Sequence, residues 1–382
     1  MGWRPNASTA RPKRARGCAT MPRMTPVKQQ AQRGATVQAT AAFRRRFATA
    51  PFGVLDGLAV STLGLGPSSA GPAESTEGAL LAVELGVNVL VSAPHAQQGQ
   101  HEDFVGTVVR EAATRGLAER EALVLCTRVG HLPALPSRFG PRVLALEEHY
   151  VRRGLLDWGE LVLGRHSLAP RFLEHSLATS RERMRLDTLD LVLLDTPELH
   201  LEAVDLPTFR ARLRAACECL EELAARGWLR AYGVAMQGAL DVGDVFDAAR
   251  AVAGERHHLR ALSLPLSLSH QDMLALRHHV GGEHLPTLEA ARALGLHVLA
   301  ERCLDGGHVG YEMPRAERLR LGPVVSDPQV GLQWVRSLPG MGTAVVGMRR
   351  ESHVEENVGV LALPPASLEA VRHFFTEETE EC

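Results

Sequence analysis

The sequence predicts an α/β protein built as one closed (β/α)8 barrel, the TIM-barrel architecture, behind an N-terminal leader. From residue 57 onward, eight short apolar runs alternate with eight amphipathic stretches over about 300 residues, which is the order expected of a parallel barrel. Most runs are apolar at nearly every position, as in parallel strands that are covered on both faces. No GxGxxG motif follows any run, so the rival fold, an open doubly wound sheet, lacks its dinucleotide fingerprint.

The eight apolar runs are the predicted barrel strands. In chain order they are Ser61–Gly66, Val87–Ser92, Ala122–Arg128, Leu189–Leu194, Leu229–Ala235, Arg260–Leu266, His297–Ala300 and Thr343–Val346. The stretches that follow them place apolar residues at helical spacing. The predicted helices are Ser75–Leu85, Glu102–Arg115, Pro170–Met184, Pro207–Arg226, Leu240–Ala253, Pro286–Leu294, Asp327–Leu338 and Ser352–Leu361.

Two stretches interrupt this alternation. Residues 131–169 separate the third strand from its helix, and residues 302–326 separate the seventh strand from its helix. Both follow the carboxyl ends of strands, on the barrel face that carries binding loops. We therefore expect one barrel domain over residues 51–382, with a loop insertion at residues 131–169.

Positive charge is concentrated at the N terminus. Residues 1–55 contain eleven Lys or Arg, and the first acidic residue is Asp56. A leader rich in Arg and free of acids is typical of a mitochondrial or plastid transit peptide, and a basic arm that binds nucleic acid is the alternative. So few apolar side chains cannot offset the entropy of ordering the segment. We expect residues 1–50 to be a disordered, cleaved organelle-targeting leader, with the mitochondrion as destination and the plastid as alternative.

The remainder of the chain is acidic. Residues 56–382 carry 31 basic and 44 acidic side chains, a formal charge of −13. This balance argues against a nucleic-acid partner, because phosphate contacts need clustered Lys and Arg. No apolar run is long enough to span a bilayer. Lysine occurs only at Lys13 and Lys28, which excludes lysine-dependent covalent chemistry in the body.

Cysteine and histidine spacing does not indicate a metal site. The six cysteines form no CxxC pair, so we expect free, buried thiols rather than zinc ligands. The pairs His257-His258 and His278-His279 lack the i, i+4 partner or the carboxylate of a metal site. We predict no metal ligands.

Four stretches, in order along the chain, resemble the aldo-keto reductase family. Residues 57–66 (GLAVSTLGLG) are similar to its opening hairpin and first strand, and residues 86–94 (GVNVLVSAP) to its GINFFDTAP. Residues 220–223 (LEEL) and 227–234 (GWLRAYGV) are similar to its LEEL…GKIRAIGVSN. Residues 346–349 (VGMR) and 353–357 (HVEEN) are similar to its nucleotide-binding signature. The resemblance covers about residues 57–362 and implies a barrel of the aldo-keto reductase type with NADP as its cofactor.

The resemblance also locates the catalytic tetrad of the family, and the chain departs from it at every position. The family has Asp, Tyr, Lys and His where this chain has Val91, Ala96, Arg128 and Asp195. Neither Val91 nor Ala96 has a side chain that can donate or accept a proton, which general acid catalysis requires. We therefore predict that this tetrad is not functional.

The same comparison divides the implied cofactor site into two ends. At the nicotinamide end, the family's carboxamide and ring contacts are replaced by Ala235, Met236, Ser263 and Leu266. At the adenosine end, the family's residue types remain at Gly347, Met348, Arg349, Glu356 and Asn357. The start of the last helix also offers free N–H groups to a phosphate, although Arg302 replaces the phosphate-binding Ser of the strand-seven loop. NADP binding is thus expected to be weak or absent.

Two further groups at the rim have alternative interpretations. Arg128 and Asp195 end adjacent predicted strands, and we favour a structural ion pair over a new anion or ligand site. His95 adjoins the vacated Tyr position and is a candidate substitute acid, although a lone loop histidine is more often only solvated.

These features predict an aldo-keto-reductase-like pseudoenzyme that serves as a structural or nucleotide-binding component of an organellar, mitochondrial protein assembly. The alternative is an NADPH-dependent oxidoreductase that acts on a carbonyl substrate with a rearranged active site.

Overall fold

Strands alternate with helices along most of the chain in the computed structural model, which describes residues 34–47, 49–67, 75–95, 99–133, 142–305 and 313–375. The strands are β1 (Phe52–Leu55), β2 (Leu58–Ser61), β3 (Leu63–Leu65), β4 (Val89–Val91), β5 (Val124–Val129), β6 (Leu189–Asp195), β7 (Leu229–Ala235), β8 (Leu259–Pro265), β9 (Arg277–Val280), β10 (Glu283–Pro286), β11 (His297–Glu301) and β12 (Met341–Val346).

The α-helices are α1 (Val37–Arg45), α2 (Thr76–Glu84), α3 (Gln100–Thr114), α4 (Arg142–Leu146), α5 (Pro170–Met184), α6 (Leu206–Ala225), α7 (Val242–Ala253), α8 (Asp272–Ala275), α9 (Thr287–Ala293), α10 (Arg315–Arg318), α11 (Asp327–Ser337), α12 (Glu351–Val358) and α13 (Leu368–Arg372). The helices of the repeating units lie within a few residues of their predicted bounds.

Eight of the strands close into a barrel in the order β11-β12-β3-β4-β5-β6-β7-β8. All eight neighbouring pairs are parallel. The predicted (β/α)8 barrel is therefore confirmed, and its strands are the eight predicted apolar runs. Inward-pointing residues at alternate positions, such as Val124 and Cys126 on β5, form one apolar cluster inside the barrel because strand side chains alternate between faces. The outward faces pack against the helices in a second, larger cluster.

The N-terminal boundary differs from the prediction, because residues 34–47 are ordered. Thr36 caps α1 by accepting a hydrogen bond from Ala39 N at 3.1 Å. Phe43 is only 2% exposed and lies in the large apolar cluster. Thr40 Oγ1 accepts a hydrogen bond from Ala59 N at 3.1 Å. The expectation of disorder over all of residues 1–50 is thus wrong for this helix, whereas residues 1–33 lie outside the described part of the chain.

A buried carboxylate ties this segment to the barrel. Asp190 on β6 is fully buried and accepts hydrogen bonds from Ala35 N at 2.6 Å and Leu125 N at 2.7 Å. It also pairs with Arg120 at 2.9 Å. A buried charge is stable only when it is paired and hydrogen-bonded. The hydrogen bond from Ala35 N therefore helps to stabilise the buried Asp190 carboxylate.

Several elements lie outside the eight predicted strand–helix units. The antiparallel pair β1–β2 precedes the barrel, in the place of the hairpin that the family resemblance implies. A second hairpin, β9–β10, lies between β8 and α9. The expected insertion at residues 131–169 contains α4, which continues into a π-helical turn at Glu147–Val151, and a 3-10 turn at Trp158–Glu160. Among the described residues, no helix combines the length and apolar character needed to cross a membrane.

The packing of α1 leads to a stability prediction. Replacing Phe43 with Ala in the full chain should lower the free energy of unfolding by about 3–5 kcal/mol, because a buried ring is removed and a cavity remains. Val37→Ala is the matched control on the same helix, since Val37 is 43% exposed and should change stability by about 0.5 kcal/mol or less. Urea denaturation measures both values. Equal, small effects would show that α1 is not part of the stable barrel.

Candidate functional site

A three-residue ion cluster lies at the carboxyl-end mouth of the barrel. Arg128 lies near the end of β5, Asp195 ends β6, and Glu301 ends β11. The Arg128 guanidinium donates to Asp195 Oδ1 at 2.9 Å through one terminal nitrogen and to Glu301 through the other. Since β5 and β11 are four strands apart in the eight-stranded ring, the Arg128 side chain crosses the barrel from one wall to the opposite one.

Arg128 and Asp195 are buried, the side chain of Glu301 is 21% exposed, and the cluster has two carboxylates for one guanidinium. Arg128 is 6% exposed and Asp195 is 2% exposed. Burial alone would raise the pKa of Asp195, but the positive charge of Arg128, with smaller contributions from His95 and His131, lowers this pKa below its ordinary value. Asp195 is thus an anion at neutral pH. One guanidinium therefore neutralises only one of the two carboxylates that it contacts.

The predicted tetrad positions are partly described. Val91 ends β4 and is buried in the barrel interior. Ala96 lies outside the described residues. The structure brings Arg128 and Asp195 together as the predicted ion pair and adds Glu301 to it.

His95 approaches the cluster from the rim. Its Nδ1 lies 3.6 Å from Asp195 Oδ2, and its side chain is 43% exposed. Burial lowers the pKa of His95, and the nearby Arg128 also lowers it, so that the opposing effect of Asp195 does not restore the ordinary value. The imidazole is therefore neutral at neutral pH, and a neutral imidazole is a poor proton donor.

A chain of hydrogen bonds runs from helix α6 to the backbone of Asp195. Arg212 has only donors, so its contact of 3.0 Å makes Nδ1 of His200 the acceptor. His200 Nε2–H then donates to His166 Nδ1 at 3.1 Å. His166 Nε2–H in turn donates to the Asp195 carbonyl at 2.6 Å. Each imidazole therefore carries its proton on Nε2, accepts a hydrogen bond at Nδ1 and donates in the direction of Asp195.

The backbone that follows Asp195 is held in an unusual conformation. Thr196 has a φ of 48°, a left-handed value that β-branched residues rarely adopt. Its hydroxyl bonds to His131 Nε2 at 2.7 Å, and the ring of His131 packs edge-on against His166 with centroids 4.9 Å apart. Such strain persists only where neighbouring contacts determine the backbone conformation, and here they fix the position of the Asp195 carboxylate.

The four positions predicted for the nicotinamide end are buried, and the one side-chain hydroxyl among them is already hydrogen-bonded. Ala235, Met236 and Leu266 are apolar and at most 3% exposed. Ser263 is buried, and its hydroxyl donates to Glu301 Oε1 at 2.5 Å. The residues present do not fit the nicotinamide half of a dinucleotide, because an amide buried without partners is destabilising.

The positions at the adenosine end are different. Arg349 Nη1 and Asn357 Oδ1 are buried without a hydrogen-bond partner. Gly347 follows β12, and Met348 is fully buried beside it. Glu356 belongs to α12, and its carbonyl accepts from Gln329 at 2.7 Å. Buried polar atoms are normally paired, so the two orphaned groups fit a ligand that accepts from a guanidinium and donates to an amide oxygen.

The loop after β11 is fixed by its own carboxylate. Asp305 accepts hydrogen bonds from Ser267 at 2.5 Å, from Ser269 and from His270 Nδ1 at 3.0 Å. Asp305 and Arg302 both have left-handed backbone, with φ of 50° and 57°. The donor groups of the loop after β8 therefore bind the Asp305 carboxylate of the same protein.

Glu301 and the histidine chain were not among the predicted site residues. Glu301 directly follows the predicted seventh strand. It lies two residues after Leu299, so both side chains point into the barrel, and this alternation could have predicted its position. His166 and His200 carried no such signal, since they lie in the insertion and in the loop after β6.

The described residues contain no group of three or more His, Cys, Asp or Glu side chains arranged to hold a metal ion. The described cysteines, Cys126, Cys217, Cys219 and Cys303, are free and buried. Burial raises the pKa of each of these thiols to about 12, so they are protonated and inert as nucleophiles.

Comparisons with known proteins agree with the barrel fold. A sequence model described as the Aldo/keto reductase family matches residues 61–309, whereas no curated protein matches the chain. An aldo-keto reductase from Bacillus halodurans, in its holo form, is similar in structure at 17% identity and a TM-score of 0.59, over 86% of this chain and 99% of that one.

Two structures from Klebsiella pneumoniae are also similar. An aldo/keto reductase in complex with NADP and acetate has 19% identity and a TM-score of 0.55, over 84% of this chain and 92% of that one. An aldo-keto reductase in complex with NADPH has the same identity and TM-score, over 84% and 91% of the two chains. At these identities the likeness establishes the fold alone.

The histidine chain leads to a pH prediction. Burial lowers the pKa of His166 to about 4 and that of His200 to about 3, whereas both rings titrate near 6.5 in an unfolded chain. The unfolded state therefore binds more protons as the pH falls below about 6.5. The free energy of unfolding should decrease between pH 6.5 and 4, with each ring contributing up to about 1.4 kcal/mol per pH unit.

Urea denaturation across this pH range measures the slope. His200→Gln should flatten it, whereas His284→Gln should leave it unchanged, because His284 is exposed on β10. The same slope in both variants would contradict the assignment.

Proposed function

Although the chain belongs to the aldo/keto reductase family, we propose a non-catalytic role for it. In this proposal the protein is an aldo-keto-reductase-like pseudoenzyme that retains the adenosine end of a nucleotide site. It serves as a structural or nucleotide-binding component of an organellar protein assembly, in the mitochondrion rather than the plastid.

The observation that carries this proposal is the path of Arg128 across the barrel mouth. Its guanidinium occupies the space between Asp195 and Glu301 on two different walls, so a carbonyl substrate placed there would have to displace a buried ion cluster. Removing one partner of such a cluster costs about 3–5 kcal/mol. In addition, Val91 and Ala96 cannot supply the proton that carbonyl reduction requires.

The difference between the positions at the nicotinamide end and those at the adenosine end supports the proposed nucleotide binding. The similar proteins from Klebsiella pneumoniae bind NADP or NADPH, and NADPH supplies a hydride when bound by an active reductase. In this chain, Arg349 would hold a phosphate of the adenosine half and Asn357 would contact the base, because both carry buried polar atoms without partners. Ser263 hydrogen-bonds to Glu301 and is not available to a nicotinamide amide.

The organellar part of the proposal rests on the N-terminal composition. The Arg-rich and acid-free segment is typical of an import signal. The packing of α1 moves the proposed end of this leader to a point before Gly34, because Ala35 bonds to Asp190 and Phe43 lies in the core. Processing upstream of residue 34 would retain these contacts in the mature protein.

One observation favours the alternative, an NADPH-dependent oxidoreductase with a rearranged site. His95 lies 3.6 Å from Asp195 and is 43% exposed, so it is placed at the rim where a substrate would approach. Its lowered pKa opposes a role as general acid at neutral pH, which is why we prefer the non-catalytic proposal.

The first test is turnover. The purified full chain should not oxidise NADPH with aldehydes, quinones or ketoses above the rate of the buffer, since a missing proton donor alone typically removes about 10²–10⁴-fold in rate. NADPH absorbance measures this directly. Turnover that His95→Ala abolishes would establish the alternative function instead.

The second test is nucleotide binding. Titration calorimetry should give similar, weak affinities for NADP⁺, NADPH and a 2′-phosphorylated adenosine fragment. Arg349→Ala should weaken all three by about 10- to 100-fold, the value of a charge-assisted hydrogen bond. Arg350→Ala is the matched control, because Arg350 is the exposed neighbour before α12. Tight binding of NADPH without binding of the fragment would contradict the proposal.

A further inference from the structure

The loops that follow β8 and β11 lie between the two ends of the implied cofactor site. In the barrel ring, β11 stands between β8 and β12. The nicotinamide-end positions Ser263 and Leu266 belong to β8 and its carboxyl end, whereas the adenosine-end positions Gly347 and Arg349 follow β12. A dinucleotide that reached both ends would therefore carry its pyrophosphate past the carboxyl end of β11.

The loop after β8 is a tight turn whose side-chain donors converge. Ser267 N donates to the His270 carbonyl at 3.1 Å, and His270 N donates back to the Ser267 carbonyl at 3.3 Å. We call the side chains of Ser267, Ser269 and His270 the donor turn, because all three donate to a single carboxylate. Several donors directed at one group are the usual way to bind an anion, whether a carboxylate or a phosphate.

The anion on the donor turn is a side chain of the protein, Asp305. Its Oδ1 accepts from Ser267 at 2.5 Å and from His270 Nδ1 at 3.0 Å, and its Oδ2 accepts from Ser269. The Asp305 side chain is only 14% exposed. Both carboxylate oxygens are thus engaged, and the donor turn already holds a negative charge.

The backbone of the loop after β11 is bent so that Asp305 reaches the donor turn. Asp305 N donates to the Arg302 carbonyl at 2.8 Å, which closes a turn over residues 302–305. Both end residues have left-handed backbone, with φ of 57° and 50°, a conformation that is unfavourable for residues with a Cβ. It persists only where other contacts determine it, and the three hydrogen bonds to Asp305 are contacts of this kind.

We propose that Asp305 is a specificity-determining residue that excludes the pyrophosphate of a dinucleotide, so that the site accepts only a nucleoside phosphate. This proposal rests on the nucleotide binding proposed above. Asp305 occupies the donors that a ligand phosphate would need, and its own charge repels a second anion. Arg302 offsets this repulsion only weakly, because it is exposed and its charge is screened by solvent.

Titration calorimetry of the full chain with NADP⁺, inorganic pyrophosphate and a 2′-phosphorylated adenosine fragment tests the proposal. Asp305→Gly removes the carboxylate and keeps the left-handed backbone without strain. The variant should bind NADP⁺ and pyrophosphate at least about 10-fold more tightly than the wild type, the value of one hydrogen bond to a charged group. Its affinity for the fragment should not change, and this unchanged binding also shows that the variant is folded.

Two further variants separate the donor turn from a general effect of charge. Ser269→Ala added to Asp305→Gly should reverse the gain, because it removes one of the donors that the first substitution makes available. Asp272→Ala is the matched control, since it removes an exposed carboxylate at the start of α8, close to the same turn. It should leave all three affinities as they are in the wild type.

The outcomes distinguish the role of Asp305 from the proposed function. Equal affinities of the wild type and Asp305→Gly for NADP⁺ and pyrophosphate, with the fragment bound by both, would overturn the role of Asp305 and leave the adenosine site intact. Equal gains in Asp305→Gly and Asp272→Ala would overturn it as well. A fragment that binds neither protein would contradict the proposed function, and pyrophosphate binding would then still decide whether Asp305 excludes phosphate from this loop.

Discussion

The arrangement of the barrel mouth depends on one buried side chain, because Arg128 crosses it to contact carboxylates on two walls. The barrel interior below it is apolar, so a charge at this level is stable only when its partners are close. Asp195 and Glu301 provide those partners, and the pKa of Asp195 is lowered accordingly. In the proposed non-catalytic role, this ion cluster takes the place of a bound carbonyl substrate.

Other parts of the structure hold this cluster in position. The chain from Arg212 through His200 and His166 ends on the carbonyl of Asp195. Arg212 also donates to the Gly159 carbonyl at 2.8 Å, so the same residue connects the insertion to the mouth. Gly159 in the insertion and the backbone of Asp195 are therefore linked by one continuous network of hydrogen bonds.

The sequence was most informative where structure is local and periodic. The eight strands were predicted because parallel strands are apolar on both faces, and the Arg128–Asp195 pair was predicted because their strands are adjacent. Glu301 was missed because its contact with Arg128 joins opposite walls, 173 residues apart. Helix α1 was missed because the composition of residues 1–50 was taken as a whole, which concealed the Thr36 cap and the single buried Phe43. The β9–β10 hairpin has no alternating apolar pattern to reveal it.

A crystal structure of the full chain grown with NADPH would distinguish a non-catalytic barrel from a working reductase. We expect electron density for the adenosine half beside Arg349 and Asn357, an unchanged Arg128 cluster, and no ordered nicotinamide at Ser263. An ordered nicotinamide ring over the barrel mouth, with Arg128 moved away from Glu301, would contradict it.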